Sequence, residues 1–376
     1  MGSTFLFEVL RAEAQKQGHS LPFAEYRGAT ATARFGGAQE EFSALLNGCG
    51  VYDLGFRARI SITGSDRVRW LNGMVSNNIR DLAVGYGVYA FLLNPQGRIL
   101  GDLYAYNAGE SLIVETDRNQ MESIMATFDH YIIMDDVGLA DISGKQAAIG
   151  LMGPNSRSVL KASGIEVPEM QALQIVTPQC SCDCGCVECT VVRSEDGLVE
   201  SYEIWLKPED AHKTWKALVE AGASPVGSEV MEQLRIAMGI PLHGVDIRER
   251  DLPQETEQMR ALNFNKGCYI GQEIVERIRS RGNVHRKFTG FLAEAGTGIA
   301  PGTKVLADGK EVGEITSAAV LPTAAGERTV ALGYIRREIG VPGREVAIAG
   351  ARANVIQLPV EIGALRRADE AVSQRA

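Results

Sequence analysis

The stretch Asn265-Lys266-Gly267-Cys268-Tyr269-Ile270-Gly271-Gln272-Glu273 sets a single thiol between two glycines, with a lysine just upstream. Glycine permits the tight backbone that such a loop needs, and an ammonium near sulfur favours the thiolate, so Cys268 has the setting of a reactive cysteine. The competing reading is a small buried thiol at a loop–helix junction whose glycines serve packing alone. A basic run follows, Arg277, Arg279, Arg281, His285, Arg286 and Lys287, suited to a polyanionic tail or RNA backbone or simply to a solvated helix face.

A second feature is Tyr202-Glu203-Ile204 in a strand-like run. Alternation puts Val199, Ser201, Glu203 and Trp205 on one side, so a carboxylate would stand between small and aromatic neighbours. That arrangement suits a flat heterocycle with adjacent N–H donors, such as a pterin edge; the alternative is an exposed glutamate on an edge strand. A third is the tract Cys180-Ser181-Cys182-Asp183-Cys184-Gly185-Cys186-Val187-Glu188-Cys189. Cys186 and Cys189 form a C-x-x-C pair able to grip a soft metal, although two such knuckles at a suitable separation are missing and a reduced surface hairpin is the other reading. The chain carries no phosphate-binding P-loop, zincin motif, G-x-S-x-G elbow or dinucleotide fingerprint, and His19, His130, His212 and His243 are scattered. Nucleotide-dependent hydride transfer and serine hydrolysis lose support accordingly.

The elements that must position these residues can be read from periodicity. A broken helical leader occupies residues 1–50. Arg59-Ile60-Ser61-Ile62-Thr63 alternates like a strand, and Gly64-Ser65-Asp66 then caps a helix bearing Val68, Leu71 and Val75. Val88–Leu93 and Arg98–Tyr106 form a hairpin across Asn94-Pro95-Gln96-Gly97. Leu112–Val114 is a strand, and Asp117 is a plausible cap for the helix carrying Met121, Ile124, Met125 and Phe128. A comparable unit follows, with strands at Ala147–Leu151 and Val199–Leu206 and helices around Trp215 and Leu234. After Arg286, short β runs punctuated by glycine predict a small closing β-barrel. The class is α+β, with boundaries expected at 51–150, 151–285 and 286–362 and a frayed tail over 363–376.

At 376 residues the chain has room for more than one core. Its 38 Lys+Arg against 47 Asp+Glu give −9, so no stable nucleic-acid binding is expected. No apolar run approaches the ~20 residues that span a bilayer, so no membrane partner is expected. The N-terminal stretch lacks the uninterrupted apolar centre of a signal peptide, and seven cysteines clustered mainly in one tract do not resemble a secreted disulfide framework. The expected location is the cytoplasm.

Lys266-Gly267-Cys268-Tyr269-Ile270-Gly271-Gln272-Glu273 resembles the signature of folate-binding iron–sulfur cluster assembly or repair proteins, also described as tRNA-modifying, which are related to the glycine cleavage T-protein. Val51-Tyr52-Asp53-Leu54, Gly64 to Gly73, Leu93 to Ile99, Gly153-Pro154, Tyr202-Glu203-Ile204 and Leu234-Arg235 fall in the T-protein order, so the likeness covers roughly Val51 to Ile362. The resemblance implies a three-domain cloverleaf, with two α/β sandwich domains, a C-terminal barrel and a central tetrahydrofolate cavity. It implies that Glu203 holds the pterin, with Tyr202, Arg235, Lys266 and Gln272 completing the folate-binding set, and that Cys268 acts near the cavity mouth. Iron–sulfur client proteins would be partners, and a transient iron–sulfur cluster a second cofactor. In aminomethyltransferases the strand after the Asn-to-Gly turn carries paired aspartates, the first acting at the reactive nitrogen of folate; here Gly101 stands in that place and Asp102 points to the opposite face. The family's His-containing segment is Gly55-Phe56-Arg57. The expected function is therefore an accessory role in maturing or repairing iron–sulfur enzymes, against a true tetrahydrofolate-dependent aminomethyl or methyl transferase, or a metal or cluster carrier through residues 180–189.

Overall fold

The computed structural model describes residues 2–178, 187–195, 199–282, 284–323 and 326–361. Two units are distinguishable. One gathers the chain up to Ala90 together with Leu103–Val230, and the other comprises Phe91–Asp102 and the chain from Met231 onward.

In the first unit, a six-stranded sheet runs in the order Ile175–Val176, Cys189–Arg193, Ser201–Leu206, Ala147–Met152, Gly50–Asp53, Ser224–Val226. One face of this sheet is apolar by strict alternation. Val51, Ile149, Leu151, Val191, Tyr202, Ile204 and Leu206 point into a core completed by Ala211, Trp215 and Leu218 of the Pro208–Glu220 helix. That helix opens with proline in its first turn and two acidic residues there, which suit its fixed φ and the helix dipole. The strand Gly50–Asp53 lies inside a sheet whose other members follow residue 146, so the boundary expected at 150/151 runs through one sheet.

A five-stranded sheet has the order Gly87–Leu93, Ile99–Asn107, Leu112–Asp117, Arg57–Thr63, Gly138–Asp141. It contains the expected hairpin. The Arg118–His130 helix begins after Asp117 as anticipated, but the Asp117 carboxylate makes no capping bond and is directed instead to arginines. Likewise Asp66 sits at the N-cap of Arg67–Met74 without capping it, and accepts from the Asp136 backbone N–H.

The leader is more than helical. Helices Phe5–Lys16 and Ala38–Asn47 flank a small sheet of Gly2–Ser3, Ala29–Thr32 and Phe23–Tyr26. The Phe23–Tyr26/Ala29–Thr32 hairpin turns through Arg27 (φ 51°) and Gly28 (φ 91°), the paired positive φ of the tight turn that matches strand twist.

In the second unit, six strands close a barrel in the order Arg286–Glu294, Gly326–Arg336, Lys310–Thr323, Lys304–Ala307, Glu345–Ile348, Ala351–Ile356, around Phe291, Val305, Ile315, Ile335, Ile348 and Val355. The pairing shifts between Ile315 and Ser317. Such a bulge breaks the alternation of side chains, and both Thr316 and Ser317 turn their hydroxyls to Oδ1 of Asp246, which is fully buried. Asp246 also accepts from Arg235 Nη1 at 2.6 Å and the Leu242 N–H at 2.9 Å. Removing the acid would take from the Arg235 guanidinium its one fully buried counter-charge, leaving only the half-buried Glu232. Asp246→Ala should therefore cost roughly 3–5 kcal/mol, and Thr316→Val only about 1 kcal/mol, in urea unfolding; near-equal losses would show that Asp246 is not the organising group.

Candidate functional site

The Ser201–Leu206 strand sends Tyr202, Ile204 and Leu206 into the core, which leaves Ser201, Glu203 and Trp205 on the other face. The alternation expected for Glu203 is thus realised, with Trp205 beside it. Across neighbouring strands, Glu203 is paired with Gly150 and Gly150 with Tyr52, so these three residues form one row. A side chain at 150 would place its first carbon only 2.0 Å from a Tyr52 ring atom; the bare glycine lets that ring lie across the middle strand.

The five-stranded sheet supplies the opposing chemistry. Ala58, Ile60 and Ile62 of Arg57–Thr63 are buried on one face, while Arg57 and Arg59 occupy the other. Register sets Arg57 opposite Asp117, Arg59 opposite Glu115, and Tyr104 next to Glu115 on the far side. Arg59 Nη2 meets Glu115 Oε1 at 2.5 Å, and Arg57 divides itself between Glu115 (3.3 Å) and Asp117 (2.5 Å). Arg27, from the leader hairpin, reaches Asp117 at 3.5 Å. Aromatic rings close around these charges. The Arg59 guanidinium lies 4.3 Å from the centre of Trp205, Tyr106 packs edge-on against Trp205 at 5.2 Å, and Arg57 stands over Tyr104.

Electrostatics distinguish the acids. Burial would raise Asp117, yet Arg27 and Arg57 hold it below its ordinary range. Glu203 is raised to about 7, first by burial and then by the Glu115 charge, with Arg57, Arg59 and the Trp205 indole opposing. Among the described residues its one hydrogen bond is from Trp205 Nε1 to Oε2, at 3.0 Å. A carboxylate can accept several more, so Glu203 retains capacity for external N–H donors. Partly accessible and poorly paired, it fits the donor edge of a planar heterocycle.

Of the other residues expected at the folate site, Tyr202 shares the Glu203 strand and the rest belong to the second unit. Tyr202 is buried on the opposite face from Glu203, and its hydroxyl donates to Glu200 at 2.6 Å. In the second unit, Arg235 is 3% exposed and is engaged by Glu232, Asp246, Ser317 and the Ile240 carbonyl, which anchor its guanidinium. Lys266 is buried with its ammonium 4.9 Å from the centre of the Tyr269 ring, and Gln272 is the partly buried first residue of the Gln272–Arg281 helix. Cys268 is exposed, so the buried-thiol reading of its loop fails. Gly271 (φ 82°) caps that helix and approaches the Asn94 carbonyl so closely that a side-chain carbon would lie 2.6 Å from it; the loop and the Asn94–Gly97 turn thus pack as one piece. Of the basic run, Arg286 is bound by Asp251 and Glu255, and Arg279 by Glu276.

Cys186 lies outside the described residues. Cys189 is buried in the core and burial pushes its thiol up to about 11, unfavourable for a thiolate ligand. Among the described residues no group of three or more His, Cys, Asp or Glu is arranged to hold a metal, and no helix is long and apolar enough to cross a membrane.

Gly101, Leu103 and Ala105 fall on the buried face of Ile99–Asn107, whereas Asp102 takes the opposite face, as alternation predicts, in line with Tyr104 and Tyr106, whose rings stack on each other.

With this geometry in place, comparison with known proteins is specific. Residues 10–266 match the GCVT N-terminal domain and residues 286–360 the glycine cleavage T-protein C-terminal barrel domain. The chain belongs to the glycine cleavage T-protein family. It is 28% identical over 317 residues to an aminomethyltransferase of Rubrobacter xylanophilus, covering 84% of this chain and 83% of that protein. It is 27% identical to one from Halothermothrix orenii, covering 89% and 94%. The crystal structure of the glycine cleavage system aminomethyltransferase T from Bartonella henselae superposes with a TM-score of 0.83 at 22% identity, covering 95% of this chain and 98% of that one, a likeness of fold. The T-protein-like fold, two α/β domains and a closed six-stranded barrel, is thereby established.

Because the native pKa of Glu203 lies above its unfolded value, the folded state binds more protons between about pH 4.5 and 7, and stability falls as pH rises through that window. Glu203→Gln should melt close to wild type at pH 5 and be more stable at pH 8, by roughly 1–3 kcal/mol. A gap independent of pH would mean that this carboxyl is not the source.

Proposed function

We propose that the protein binds tetrahydrofolate or a derivative and transfers a one-carbon unit, aminomethyl or methyl, from an amine donor to it. The observation that carries this reading is the Glu203 carboxylate, desolvated, held by a single indole N–H and framed by flat aromatic rings. The 2-amino and N3–H groups of a pterin offer the two adjacent donors that such an acid lacks. Arg57 and Arg59 neutralise Glu115, which leaves Glu203 as the acid available to a ligand. Membership of the T-protein family and the aminomethyltransferase names of the relatives support the same class of reaction. In calorimetry, Glu203→Gln should weaken tetrahydrofolate binding roughly 10- to 100-fold. Unchanged affinity would refute the assignment of the site.

A second reading is favoured by one observation. Of the described cysteines, Cys49 and Cys189 are buried and Cys268 alone is exposed, in the loop whose sequence resembles the iron–sulfur maturation branch. Under it, Cys268 provides thiol chemistry or transient contact with a cluster or client enzyme, including tRNA-modifying ones. Complementation of a strain lacking such a protein, read as cluster-dependent tRNA thiolation, decides it: wild type should restore thiolation and Cys268→Ala should not. Full rescue by the variant would remove the thiol from function.

A further inference from the structure

Tyr52 is 5% exposed, and its ring lies across Gly150 toward the strand that carries Glu203. An ideal Cβ on Gly150 would meet Tyr52 Cε2, Cζ and Cδ2 at 2.0, 2.4 and 2.6 Å, so the outer part of the ring crosses the middle strand and its hydroxyl end reaches the Glu203 side. Strands in a sheet are about 4.8 Å apart, a span that a tyrosine covers. The hydroxyl makes no hydrogen bond to the described residues. The oxygen is nevertheless not among the buried side-chain atoms without a partner, so this end of a nearly buried ring stays open to solvent or to a ligand. Burial, and next the Glu203 charge, hold this phenol well above its ordinary range, so it is a neutral O–H donor at any physiological pH.

We infer that the Tyr52 hydroxyl is a specificity-determining group that donates to the ring carbonyl next to the N–H edge taken by Glu203. This rests on the folate reading. On a pterin the 2-amino group, N3–H and 4-oxo oxygen follow one another along one edge. A carboxylate satisfies the first two and leaves an acceptor whose natural partner is an adjacent O–H. Gly150 makes the arrangement sterically possible, since any side chain there would evict the ring.

The test is calorimetric titration of wild type, Tyr52→Phe and Glu203→Gln with tetrahydrofolate and with its 4-thioxo analogue, which keeps the N3–H and 2-amino donors but is a poorer acceptor at position 4. Tyr52→Phe retains the ring over Gly150 and should melt like wild type. It should bind tetrahydrofolate roughly 3- to 10-fold more weakly, and wild-type preference for the 4-oxo ligand should largely disappear. Unchanged affinity and preference in Tyr52→Phe, with binding weakened in Glu203→Gln, would overturn this inference and leave the folate reading standing. Equal weakening toward both ligands would assign the ring to packing only and likewise overturn it. If Glu203→Gln also binds both ligands as wild type does, the folate reading itself falls.

Discussion

Two carboxylates, Glu115 and Glu203, occupy a poorly hydrated space between facing sheets, and the guanidiniums there bond directly to only one of them. In such a medium charge that is not matched at contact distance is strongly disfavoured. Arg59 is drawn to Glu115, Arg57 meets Asp117 most closely and reaches Glu115 with its other nitrogen, and Arg27 is brought from the leader hairpin to complete Asp117. Glu203 is left with an indole N–H. Its readiness to hold a proton, and equally its readiness to meet an external donor, both follow from that unequal sharing.

Asp246 makes the contrast clear. It is as deeply buried as Glu115, but Arg235, the Leu242 N–H, Thr316 and Ser317 saturate it, and a strand bulge is what lets two consecutive hydroxyls do so. A saturated acid of this kind ties a helix to a barrel wall and offers nothing further to a ligand. Glu203, by contrast, keeps acceptor capacity that no such network fills.

Strand alternation made Ser201, Glu203 and Trp205 legible as one face, the Asn94–Gly97 turn legible as a hairpin, and the glycine-punctuated C-terminal runs legible as a barrel. The partners of Glu203 were not. Arg57 with Arg59 and Glu115 with Asp117 do show the two-residue spacing of a strand face, yet which arginine meets which acid depends on the register between strands 56 or more residues apart, and one-dimensional spacing carries no register. Asp117 has the residue type and position of a helix cap, and the pull of two arginines overrides that local preference. The leader hid its hairpin because Arg27-Gly28 is a weaker turn signal than Asn-Gly or Asp-Gly.

The charged cluster joins segments around residues 27, 57, 115 and 203, so its contacts close very long loops. Contacts of that kind form late, after local hairpins and helices are in place. Until the sheets meet, each of these acids and arginines stays hydrated, and no partly folded chain has to carry a bare carboxylate out of water. The groups able to hold a ligand come into being only with the finished unit, so whatever occupies them selects the native chain over every looser one.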